Sequence, residues 1–98
     1  MNFRIPSNFM LGGRKITVKH ADVIDGDLTI DGQAIYSAQE IVLQNGHKKE
    51  YIEFVFFHEL THHILDQMGE RKLRGDERFI NLFSTFLHQA IKTMEVVK

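Results

Sequence analysis

Residues 50–70 read EYIEFVFFHELTHHILDQMGE, and they decide how the rest of the chain is read. Apolar residues recur here at helical intervals. Tyr51, Val55, His58, His62 and Leu65 fall on one stripe, and Phe57, Leu60, Ile64 and Met68 on another,. Gly69 follows as a natural stop. Within this helical run His58-Glu59-Leu60-Thr61-His62 spells H-E-x-x-H. Residues four apart on a helix differ by about 40° around the axis and one turn along it. His58 and His62 therefore project side by side and can reach one ion at ~2.0–2.1 Å. Glu59 is turned about 100° from His58. It is placed to take a proton from water near the ion rather than to ligate it. Burying these ionisable groups in "FVFFHELTHHIL" without a partner would be costly, and a metal supplies one.

Outward from this helix the pattern changes on both sides. Before about Lys48 the chain reads as strands. Ile16 and Val18 alternate with Thr17 and Lys19 in "RKITVKH",. Asp31-Gly32 lies between two short β-rich runs in "LTIDGQAIYS" and predicts a tight hairpin. "AQEIVLQN" follows as a strand, with Ile41 and Leu43 on one face and Val42 on the other. "DGDLTIDG" lacks the closing glutamate of a calcium loop and reads as turns. After Gly69, "ERKLRG" reads as a loop. A second amphipathic helix then runs through "DERFINLFSTFLHQAIKTMEVV", with Phe79, Ile80, Phe83, Phe86, Leu87, Ala90, Ile91 and Met94 as its core stripe,. Asp76 and Glu77 suit its first turn. The prediction is one α+β domain over residues 1–98: a small antiparallel or mixed sheet of about three strands, packed on the H-E-x-x-H helix and a long C-terminal helix.

A catalytic zinc site wants three protein ligands. The chain of 98 residues has no cysteine, so the third must be His, Asp or Glu. Glu77, at the start of the second helix, is the candidate, provided the connection folds back along the first helix. Asp66, one turn past His62, is a weaker alternative suited to supporting a ligand. Asp76 points elsewhere. His63 points about 100° away from His62 and reads as a surface or supporting residue. His88 lies about 16 Å along the helix from Glu77 and cannot join the same ion. His20 and His47 read as surface residues. Asn81, one turn past Glu77, is a candidate to orient a ligand. Tyr36 and Tyr51 are the only phenols. Core packing is the preferred reading of Tyr51 over a role beside a developing oxyanion.

Composition bounds the function. Net charge is −1 with no basic stripe, so nucleic acid gains no support as a partner,. No window approaches the ~18 apolar residues of a membrane span, and "MNFRIPSNFMLGG" is too short an apolar run for a signal peptide. The absence of cysteine suits the cytoplasm.

"FFHELTHHIL" followed by "DERFINLFSTFLHQ" resembles the zincin signature of gluzincin type, in which a glutamate on a second helix completes the metal site. The likeness is to small phage- and prophage-encoded zincin-like proteins and, more broadly, to the ImmA/IrrE metallopeptidase group. That group carries Glu-x-x-Ala-Asn-x-Phe-Ala after its H-E-x-x-H helix. Glu77, Asn81 and Phe83 keep this spacing, while Ile80 and Ser84 stand where the group has small residues. The match covers residues 54–88. The resemblance implies one zinc ion on His58, His62 and Glu77, Glu59 as general base, and a peptide or protein as substrate. It also implies a cleft bordered by "EIVLQN", where an extended peptide could add as a strand. The chain resembles a minimal gluzincin, without the helix-turn-helix module or lower subdomain of larger relatives. Three functions follow. The first is a zinc-dependent metallopeptidase. The second is a metal-stabilised protein-binding module with no catalytic role. The third is a latent enzyme whose cleft is blocked by a partner or by the tail "KTMEVVK".

Overall fold

The computed structural model describes residues 3–96. Its elements are β1 (Asn8–Leu11), β2 (Arg14–Ala21), β3 (Gly32–Ile35), β4 (Glu40–Gln44), α1 (Lys49–Met68), a short α2 (Arg71–Arg74) and α3 (Glu77–Thr93). The α+β class follows directly. The sheet has four strands in the order β1-β2-β4-β3. β1 pairs antiparallel with β2, β2 parallel with β4, and β3 antiparallel with β4.

The sheet differs from the sequence prediction in two ways. A further strand, β1, precedes the expected ones. The tight hairpin turn is Gly12-Gly13, with φ of 56° and 78°, between the paired Leu11 and Arg14. Both central residues of such a turn need positive φ, which glycine adopts without steric cost. Asp31-Gly32 makes no hairpin. Gly32 opens β3, and the chain before it is held by Asp27, whose Oδ1 accepts from the Thr29 amide at 2.8 Å and the Thr29 hydroxyl at 2.6 Å. β4 is an inner strand, and β3 is an edge strand that packs beside α1.

One face of the sheet packs on α1. Ile16, Val18, Ile41 and Leu43 meet Val55, Phe56 and Phe57 in the core, with Phe3, Phe9 and Leu87 packed at its margin. Each such side chain contributes roughly 1.5–3 kcal/mol on burial. Val42, on the opposite face of β4, is only half-buried, as the period-2 alternation predicts,. α1 begins at Lys49 and ends at Gly69, whose φ of 74° lets its amide and the next close on Asp66 O and Leu65 O. α3 covers the other side of α1. Thr61 and Ser84, both buried, meet there with their hydroxyl oxygens 3.3 Å apart.

The second helix is less core-like than its phenylalanines predict. Ile80 and Ser84 are its buried residues, and Leu87 and Ile91 pack partly on the core. Phe83 and Phe86 are 44% and 67% exposed, and Met94 is exposed as well. The stripe that meets α1 is centred on Ile80-Ser84-Leu87-Ile91, and the aromatic stripe lies beside it. Among the described residues no helix is long and apolar enough to cross a membrane.

Candidate metal centre and cleft

The local structure first explains how Glu77 comes back to the histidines. Gly69 reverses the chain at the end of α1. The segment predicted as a loop contains α2, and Arg74 at its end pairs with Asp66 at 2.6 Å. That pair ties the connection to α1 one turn past His62. Asp76 then caps α3 by accepting from the Phe79 amide at 3.0 Å. Glu77 is the first residue of α3, set directly over the H-E-x-x-H turn of α1.

His58, His62 and Glu77 each offer a donor atom, and these atoms all lie within 4.8 Å of one another. Glu77 Oε2 is 3.2 Å from His58 Nε2, and its Oε1 is 3.3 Å from His62 Nε2. Donors ~2.0–2.1 Å from one tetrahedral ion stand about 3.3–3.4 Å apart. The two histidine–glutamate distances and the donor types are compatible with a shared ion, and the group could hold a metal. Asp66 and Asp76, committed to Arg74 and to the helix cap, are not in this group.

His62 is supported from behind. The Tyr36 hydroxyl lies 3.4 Å from His62 Nδ1, and the Arg74 guanidinium sits 4.9 Å over the Tyr36 ring. Burial pushes the Tyr36 phenol above its ordinary value, against the pull of Arg74. Burial also lowers the His62 pKa, although the Glu77 carboxylate works the other way. The net effect favours the neutral imidazole, the form that has a lone pair to give.

Glu59 is buried, at 6% exposure. Burial, aided by the charge of Glu77, pushes its carboxyl up to about 8. It packs against Gly32 of β3. A β-carbon on Gly32 would stand 2.4 Å from Val55 Cγ1 and 3.2 Å from Glu59 Oε2. Gly32→Ala should therefore destabilise the fold by roughly 1–3 kcal/mol, as overpacking does. It should also displace Glu59. Thermal melting of the variant checks the first effect; a melt unchanged within about 1 °C would mean that β3 can move aside at little cost.

His58, Glu59 and Glu77 open on a cleft of about 310 Å³, lined also by Ile30, Asp31, Gly32, Tyr51, Phe54, Val55 and Asn81. Tyr51 is not core. It is 41% exposed on this cleft, and its hydroxyl donates to Asp31, which pushes the phenol up to about 12. With its proton committed to Asp31, Tyr51 is not poised to donate to an oxyanion. Asn81 lines the cleft one turn past Glu77. None of the described tail residues lines it; Val97 and Lys98 lie outside the described residues.

The remaining histidines have structural partners or lie outside. His63 is buried, not at the surface, and its Nε2 meets Glu40 O at 2.7 Å, which fastens α1 to β4. His88 meets Glu53 at 3.2 Å. His47 Nε2 contacts Gln44 Oε1 at 2.7 Å and is half-buried, while His20 is exposed. The Glu53 site was not read from the sequence. A glutamate inside a helical run carries no signal of burial when its partners lie on another helix.

No family model matches the chain, and no curated protein or solved structure shows significant similarity to it.

Proposed function

We propose that the chain is a zinc-dependent, zincin-like hydrolase of gluzincin type that cuts peptide bonds. The observation that carries this reading is the convergence of the His58, His62 and Glu77 donor atoms, with His58, Glu77 and the buried Glu59 lining one cleft. His58, His62 and Glu77 would hold the ion. Bound zinc would polarise a carbonyl and acidify nearby water. Burial favours the neutral Glu59 carboxyl; a cation held by its neighbours would draw it to the carboxylate. The carboxylate takes a proton from water as the hydroxide adds to the carbonyl and returns it to the amine as the C–N bond breaks. Burial keeps that carboxylate away from competing solvent. Among the described residues β3 has a strand partner on one side only, β4, so its outer edge is where an extended peptide would add beside Glu59,. That role falls to β3 rather than to the inner strand "EIVLQN".

A second reading has its own support. Glu77 is exposed, and its distances to the two imidazoles also suit a direct pairing of histidine with carboxylate. On that reading the three side chains tie α1 to α3 in a binding module without chemistry.

Zinc titration tests the first reading. The wild-type protein should take up one equivalent. At free zinc about 100-fold above Kd the gain is about 2.7 kcal/mol. For a chain of this length that raises the melting midpoint by roughly 10–20 °C. The joint substitution of His58→Ala and His62→Ala should abolish both uptake and shift. Stoichiometric zinc retained by that variant after dialysis against chelator would remove the site.

A further inference from the structure

From His47, just before α1, to His62 the rings form a continuous row, of which Tyr51, Phe54 and His58 line the cleft. His47 and Tyr51 have ring centroids 5.1 Å apart, Tyr51 and Phe54 6.2 Å, Phe54 and His58 6.2 Å, and His58 and His62 5.0 Å. The row starts beside Asp31 and ends at the candidate metal ligands. Asp31 stands at its far end. One carboxylate oxygen accepts from Tyr51, and the other is 3.4 Å from His47 Nε2. A carboxylate has about four lone-pair sites, so these contacts do not exhaust it. Among the described residues, those lining the cleft carry carboxyl groups on Asp31, Glu59 and Glu77 and include neither lysine nor arginine. The cleft thus joins an aromatic wall, a half-buried carboxylate at one end and an acidic lining.

We propose that Asp31, Tyr51 and Phe54 form a subsite for a basic side chain, arginine or lysine, of the peptide bound in the cleft. It rests on the hydrolase reading for its purpose and names the substrate class of that same site. A cation over the Tyr51 and Phe54 faces gains from the ring quadrupoles, and its head reaches the Asp31 carboxylate. A neutral side chain of the same length would leave that carboxylate without the gain. The position follows from helix geometry. Tyr51 lies two turns, about 10 Å, before His58 along α1. An arginine side chain and an extended backbone at ~3.3 Å per residue together span that distance. The basic residue therefore sits within about two positions of the cleaved bond.

The test uses binding, so that it stands apart from turnover. N-acetyl-arginine amide and N-acetyl-norleucine amide are titrated into the full chain, with and without zinc, and followed by NMR. The arginine compound should bind about tenfold more tightly and shift the Tyr51 and Phe54 ring signals. Asp31→Asn keeps an acceptor for Tyr51 and should shrink the difference, leaving only the share due to the rings, while zinc uptake stays intact. Equal binding of the two amides to wild-type protein, or an arginine preference that Asp31→Asn leaves undiminished, overturns the subsite. If Asp31→Asn does not fold, the wild-type comparison still decides. An arginine preference in protein that takes up no zinc supports the subsite and removes the hydrolase reading, so the two failures are distinct.

Discussion

Glu59→Gln should leave zinc uptake unchanged and lower peptide turnover by about 10²–10⁴-fold, the usual share of general acid–base catalysis. Glutamine keeps the shape that fits against Val55 and Gly32, and loses the basic carboxylate. A rate unchanged by this substitution in an active preparation would rule out Glu59 as the base. The same variant has a readout that needs no substrate. In metal-free protein the Glu59 carboxyl is raised from 4.5 to about 8 by burial and by Glu77. A raised carboxyl favours the folded state below its unfolded pKa, and that advantage is lost as pH rises through the folded value. Metal-free wild-type protein should therefore weaken between about pH 4.5 and 8, and Glu59→Gln should not share this particular loss. Melting curves of the two proteins at pH 5 and pH 8 compare them directly. A catalytic group held at a cost to stability is the pattern expected of an active site rather than of a structural tie.

What could be read from the sequence is what local geometry dictates. The i, i+4 spacing places His58 beside His62 whatever the rest of the chain does. Asp76-Glu77 before a strong apolar period marks a helix start, and with the short connection it pointed to Glu77 beside the histidines. The sheet was harder. Gly12-Gly13 and Asp31-Gly32 are both turn signals, and only tertiary pairing decides between them. Gly32 opens β3 because the helix side chains Val55 and Glu59 come too close for any β-carbon. Strand β3 itself, Gly-Gln-Ala-Ile, has almost no apolar pattern and is held by its pairing with β4. The aromatic face of α3 misled for a related reason. Periodicity shows that a stripe is apolar, not which neighbour covers it, and α1 meets the adjacent stripe through Thr61 and Ser84. Tyr51, His63 and Glu53 share a cause: each is placed by a partner distant in sequence, Asp31, Glu40 or the pair His88 and Lys92.

Glu53 carries the largest expected effect on stability. It is fully buried in α1, and its carboxylate meets His88 at 3.2 Å and Lys92 at 3.0 Å on α3. Removing one member of a buried pair costs about 3–5 kcal/mol, because the partner is left without compensation. The Lys92 and His88 side chains are 24% and 15% exposed, so water relieves part of that cost. Glu53→Ala should then lose about 3 kcal/mol, at the low end of that range. At about 4–8 °C per kcal/mol the melting midpoint falls by roughly 12–24 °C. The pH dependence has the opposite sign to that of Glu59. Burial would raise the Glu53 pKa, but Lys92 and His88 outweigh it and hold the carboxyl below its ordinary value of 4.5. The stabilisation is therefore complete above pH 4.5 and is lost as pH falls through the lowered folded value,. The gap between wild type and Glu53→Ala should be widest near neutrality and close in acid. A gap independent of pH would mean that Glu53 acts by filling space rather than by charge. Replacing Glu53, His88 and Lys92 together by apolar residues of similar volume separates the two further. Such exchanges are often neutral or stabilising, so the triple variant should recover most of what Glu53→Ala loses if the cost lies in the uncompensated charge.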